Sequence, residues 1–148
     1  MSDTTAFLLR ALEENWILAR QAEDKRAVIA HVNIAAATVA NGILALVGFK
    51  KNALPLTVLL AILGIYGIAA TAKLYERSQY HIQRARKLRA RLDELSSEAQ
   101  VEMLQKSAEN EHKVRYPRLM HVRLNTIWLS LHTLIAVLGV AYTIIILS

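Results

Sequence analysis

The chain has 148 residues, 54% of them hydrophobic and 20% charged, with 18 Lys and Arg against 12 Asp and Glu. There is no cysteine, which excludes disulfides, thiolate metal sites, cysteine nucleophiles and palmitoyl or prenyl anchors. The apolar residues are not spread at a period of 3.6 or 2 but gathered into three nearly uncharged blocks at 27–49, 54–72 and 126–147, a pattern that excludes a soluble enzyme and a transmembrane β-barrel.

Each block approaches the ~20 residues that cross ~30 Å of hydrocarbon as a helix. Two prolines and five glycines leave few places to break a helix, so the expected fold is all-α: an integral membrane protein with three transmembrane helices and a cytoplasmic helical stalk or hairpin.

Residues 1–26 read as a cytoplasmic amphipathic helix, with Phe7, Leu8, Leu12, Trp16, Leu18 and Ala22 at helical spacing and nothing to break it before the first span. The segment is too charged for the apolar stretch of a signal peptide, so the first span is expected to be a retained anchor. Its charge is near balance, Arg10, Arg20, Lys25 and Arg26 against Asp3, Glu13, Glu14, Glu23 and Asp24, which favours packing on the rest of the cytoplasmic portion over lying on lipid.

The first span, 27–49, is two-faced. Val32, Val39, Ile43, Leu46 and Val47 share one arc, while His31, Asn33, Ala37, Thr38, Asn41, Gly42, Ala45 and Gly48 fall mostly in the opposite half. An amide or imidazole without a partner in hydrocarbon costs several kcal/mol, so the second arc is expected to face protein or water. A short external loop at 50–53 leads to the second span, 54–72, where Pro55 suits a first helical turn and Gly64, Gly67, Ala69 and Ala70 offer a close-approach surface.

Residues 73–123 read as a cytoplasmic helical hairpin. The second span continues without a breaker into a stalk carrying Ala85, Leu88, Leu92, Leu95 and Ala99 at a/d-like positions, and Ser97 with Gln100 has the form of a capping box opening a return helix. Pro117 marks the way back, with Arg115, Arg118 and Arg123 at headgroup level and Trp128 as an interfacial anchor. In the third span, 124–148, Asn125, His132 and Gly139 are seven apart, with Ala136 and Thr143 on the same face.

Basic residues set the topology. Four precede the first span, two lie in the first loop and twelve between Lys73 and Arg123, so the positive-inside rule puts the N-terminus and the long loop in the cytoplasm and the C-terminus outside.

Two stripes therefore need partners: His31, Asn33, Thr38 and Asn41 in the first span, and Asn125, His132, Gly139 and Thr143 in the third. They either pack the helices together or line a pore, and a pore requires several copies of the chain around an axis. Arg84, Arg86, Lys87, Arg89 and Arg91 form a basic run that reads as a topology signal or as a contact for an anion, an anionic lipid headgroup before any nucleic acid, because only Tyr75 and Tyr80 stand near it for base stacking. Arg115 and His121 have the loose Arg-to-His spacing of HEPN-type ribonucleases, yet Pro117 lies between them, and Glu109, Glu111 and His112 lack the second histidine that a helical zinc motif needs. With no Walker A loop, GxGxxG or GxSxG, the chain reads as a non-enzyme without cofactor or metal.

The charged N-terminal helix, the hairpin of spans joined by a very short loop, and the basic helix KLYERSQYHIQRARKLRARLDEL resemble small bacterial membrane proteins of the SLATT-type and RipA-like families. The resemblance covers most of the chain and implies a homo-oligomer that perturbs membranes or forms a pore, as an effector in a bacterial defence or conflict system; those families usually have two spans, and the third is a departure. The competing expectation is a membrane anchor or adaptor whose basic cytoplasmic helices dock a soluble protein partner or anionic lipid.

Overall fold

A computed structural model describes residues 3–95, 101–117 and 123–148, which form four helices: α1 (Asp3–Val47), α2 (Leu54–Leu95), α3 (Val101–Arg115) and α4 (Leu124–Leu147). No strand occurs among the described residues. The expected capping pair Ser97 and Gln100, the stripe position Ala99, and Arg118 and His121 lie outside them.

Local chemistry explains the helix ends. Val47 is the last residue of α1 because Gly48 adopts φ +74°, a left-handed conformation that costs glycine no Cβ clash, and its N–H closes the helix on the Leu44 carbonyl at 2.9 Å. One 3-10 turn, Lys51–Ala53, then reverses the chain, and Pro55 sits in the first turn of α2, where its missing N–H is not needed. At the end of α3 the Tyr116 N–H reaches the His112 carbonyl at 2.9 Å, and Pro117 follows, unable to extend the ladder.

The residues form two compact units, Met1–Glu23 with Glu76–Arg123, and Asp24–Tyr75 with Leu124–Ser148. In the first, α1 packs on the second half of α2 through Asn15, Ala19 and Ala22 on one side and Ser78, His81 and Ala85 on the other, all buried. The buried positions are spaced alternately three and four apart, the seam of a coiled coil built with small side chains.

The second unit contains the apolar stretches of the three helices long and apolar enough to cross a membrane, α1, α2 and α4. It carries large apolar residues on its outside as well as in its core. Its interior holds Ala30, Asn33, Ala37, Thr57, Thr71 and His132, while Val28, Val39, Ile62, Leu134 and Ile144 are exposed and Leu46 is 88% exposed. This is the distribution expected of a bundle whose solvent is hydrocarbon, where apolar burial drives nothing and close backbone approach with interhelical hydrogen bonds decides which faces meet.

Three glycines permit that approach. A Cβ at Gly64 would overlap the backbone of Ala136, one at Gly139 would overlap that of Leu60 and Ala61, and one at Gly67 would overlap the His132 ring and the Asn33 amide. Around them Ala37, Ala40, Leu44, Leu60, Ile135 and Ile146 form the apolar core, with Tyr142 packed against it.

Glycine-to-alanine substitutions separate close approach from helix propensity. Gly64→Ala and Gly139→Ala are expected to destabilise the bundle by about 1–3 kcal/mol each through overpacking. Gly42→Ala, whose Cβ meets nothing within 4 Å, should stabilise it by about 0.5–1 kcal/mol through the lower backbone entropy of alanine. Reversible unfolding in mixed micelles measures both, and equal effects at Gly42 and Gly64 would contradict backbone-limited packing.

Candidate functional site

Each unit is centred on one asparagine–histidine pair, and in both the amide orientation fixes the histidine tautomer. In the second unit Asn33 Nδ2 donates to the Leu63 carbonyl at 3.0 Å and to His132 Nδ1 at 3.1 Å. A carbonyl accepts and cannot donate, so the amide must present its NH2 to Leu63, and His132 Nδ1 must accept. The imidazole proton then sits on Nε2. His132 is fully buried, and among the described residues neither its Nε2 nor the hydroxyl of buried Thr71 has a hydrogen-bond partner.

Three more ties join α4 to its neighbours. Arg26, only 1% exposed, donates from Nη2 to Asn125 Oδ1 at 2.8 Å, and its guanidinium lies 5.3 Å from the centre of the Tyr75 ring. Tyr142 donates its hydroxyl to Asn41 Oδ1 at 2.9 Å, while Asn41 Nδ2 donates to the Ala37 carbonyl at 2.7 Å. The hydroxyls of Thr57 and Thr143 meet at 2.9 Å.

The sequence-predicted lining residues thus divide. Asn33, Asn41, Asn125, His132, Gly139 and Thr143 are brought together between the helices of one chain, where hydrogen bonds or close backbone contact occupy them. His31 and Thr38 are not part of that assembly; both are exposed, and Thr38 bonds only the Ile34 carbonyl of its own helix at 2.8 Å. Within one chain only part of the polar arc expected on the first span is covered. At 100° per residue, His31, Thr38, Gly42 and Ala45 sit about two-fifths of a turn from Asn33, Ala37 and Ala40, and two neighbouring helices cover only the latter strip.

Arg26 differs from the other cations that flank the first span. A flanking cation that counts toward topology is in fact interior, held by an amide oxygen and an aromatic face.

In the first unit His81 Nδ1 donates to Asn15 Oδ1 at 3.1 Å, and Asn15 Nδ2 donates to the Ala11 carbonyl at 2.8 Å. Neither Asn15 nor His81 stands out in the sequence, because a search for apolar periodicity skips a polar residue on the seam. The available signal is the spacing of Asn15, Ala19 and Ala22 against that of Ser78, His81 and Ala85. Burial, then the nearby Arg77 and Arg84 charges, hold the His81 pKa below its ordinary value of 6.5, with Glu14 opposing.

The basic run is partly committed to structure. Arg84 stacks on Tyr80 at 5.6 Å, Arg89 stacks on Trp16 at 5.5 Å and donates to Gln105, and Arg91 pairs with Glu94. Arg86 and Lys87 are exposed. A groove of about 390 Å³ between α2 and α3 is lined by Arg86, Arg89 and Lys106 but also by Asp93 and Glu109, a mixed lining that suits a protein surface better than a lone anion. No three His, Cys, Asp or Glu side chains converge on a metal site among the described residues.

Two measurements probe these pairs. A double-mutant cycle on Asn33→Ala and His132→Ala in mixed micelles should give a coupling of about 0.6–1.7 kcal/mol, the span of interhelical hydrogen bonds in membranes; strict additivity would dissolve the pair. Because folding lowers the His81 pKa, its stabilising contribution is complete above the unfolded value near 6.5 and is lost as pH falls below it. Thermal stability should therefore decline between about pH 7.5 and 5.5, and His81→Gln should flatten that part of the profile.

No protein-family model, no curated protein and no solved structure matches the chain.

Proposed function

We propose that the chain is a non-enzymatic membrane anchor and adaptor, whose spans fix it in a bacterial inner membrane and whose basic hairpin at 73–123 docks a soluble acidic protein partner on the cytoplasmic side. The observation that carries this reading is that the three side-chain amides of the spans are bonded within one chain. With Asn33 bonded to His132, Asn41 to Tyr142 and Asn125 to Arg26, the bundle keeps its hydrogen-bonding groups for its own assembly rather than for a permeation path. Arg86 and Lys87 remain exposed on α2, where long-range attraction of an acidic surface needs them.

A second reading, suggested by the SLATT-type and RipA-like resemblance, is a homo-oligomer that perturbs membranes or forms a pore. The exposed face of His31, Thr38, Gly42 and Ala45 favours it, since a second copy is one way to cover an imidazole and a row of small residues.

One experiment separates the two. The full chain is reconstituted in dye-loaded liposomes, incubated with a soluble cell fraction and scored both for sedimented protein and for leakage. The adaptor reading expects a recruited protein that Arg86→Glu with Lys87→Glu reduces at least tenfold, and leakage equal to that of empty liposomes. Leakage that His31→Leu abolishes, with unchanged recruitment in the charge-reversed variant, would overturn it in favour of the oligomer.

A further inference from the structure

Within the second unit a groove of about 530 Å³ runs between α1 and α2 on the outer surface of the bundle. Its long walls are apolar: Val28 and Ile29 from α1, Ala70 and Leu74 from α2. Its two ends differ. Lys25 and Lys73 stand on opposite walls at one end with Asp24 beside them, and Tyr66 closes the other. Both lysines are exposed, as are Val28 and Tyr66, so the groove opens outward to whatever solvates the bundle.

Depth comes from Ala70. It occupies the middle of the Tyr66, Ala70, Leu74 row, one turn from each, and its short side chain leaves the floor that a larger residue would fill. From Lys73 to Tyr66 the row extends about 10 Å along the helix, roughly two-thirds of the ~15 Å of hydrocarbon in one leaflet. The cationic end coincides with the charged flanks of both spans and the apolar end with their uncharged stretches.

We infer that this groove is a binding site for one acidic phospholipid, with an acyl chain lying along Val28, Ile29 and Ala70 and the headgroup phosphate between Lys25 and Lys73. The charge pattern selects the occupant. Lys25 and Lys73 on facing walls complement a phosphodiester, and Asp24 accepts a hydrogen bond from a headgroup hydroxyl, which a glycerol headgroup supplies and a trimethylammonium does not. The site rests on the reading of the bundle as membrane-embedded, and it is separate from the basic run Arg84 to Arg91, which belongs to the other unit.

The test is native mass spectrometry of the full chain released from mild detergent and titrated with dioleoyl phosphatidylglycerol and dioleoyl phosphatidylcholine in equal amounts. The expected result is one retained phosphatidylglycerol per chain in preference to phosphatidylcholine. Lys25→Gln and Lys73→Gln should each weaken that retention about fivefold, in line with the usual contribution of a lysine near a phospholipid headgroup. Val28→Trp, at an exposed position, should block the apolar wall and remove the lipid with all charges in place. Lys50→Gln with Lys51→Gln, at the other end of the span, should change nothing, and circular dichroism should show unaltered helix content throughout.

Equal retention of the two lipids, a loss in the Lys50 and Lys51 variant as large as at Lys25 and Lys73, or full retention in Val28→Trp would each overturn the site. Arg86→Glu with Lys87→Glu should leave lipid retention intact, so failure of the adaptor reading and failure of the lipid site give different results.

Discussion

The architecture of the membrane-type bundle depends on how closely α2 and α4 approach. For helices long and apolar enough to cross a membrane, hydrocarbon would offer no gain from burying apolar surface, and contact would come from van der Waals packing and from polar groups that find partners. Gly64, Gly67 and Gly139 remove the side chains that would hold the two backbones apart. Once they touch, His132 is pressed against Gly67 and reaches Asn33 on α1, and the third helix is tied in. The polar contacts are thus a consequence of the glycines, because the same imidazole on helices a side chain further apart would fall short of its amide.

The same logic runs through the other unit with different atoms. Ala19, Ala22, Ser78 and Ala85 do for α1 and α2 there what the glycines do in the bundle, and the Asn15–His81 pair occupies the seam. Cations are held by aromatic faces in both: Arg26 by Tyr75, Arg89 by Trp16, Arg84 by Tyr80. Arginine tolerates this because its flat, weakly hydrated guanidinium stacks while its edge still donates, as Arg26 does to Asn125.

The long apolar blocks and the scarcity of breakers are legible in the sequence, because each follows from local chemistry, whereas Gly48 reads there as one more small residue of the first span and not as the end of α1. The seven-residue spacing of Asn125, His132 and Gly139 was legible too, as one face of α4. Which strip of α1 turns inward was not. Asn33 and Thr38 are equally polar on a helical wheel, and only the positions of α2 and α4 distinguish a strip with neighbours from one without. Arg26 was hidden for a related reason: a charge at the edge of a span normally marks the aqueous boundary, and its burial depends on Tyr75 and Asn125, roughly fifty and a hundred residues away.

The Asn33 amide also bears on the order in which the bundle is built. Its two protons go to different helices: one to the Leu63 carbonyl on α2, available as soon as the first two spans form a hairpin, the other to His132 on α4, which emerges later in the chain. The first bond aims the second. A hairpin with Asn33 already anchored presents a directed donor at one depth, the depth at which Gly139 meets the Leu60 and Ala61 backbone. The asparagine thus serves as an assembly mark set before α4 arrives, and the Asn125, Tyr142 and Thr143 contacts then hold the helix at the same depth.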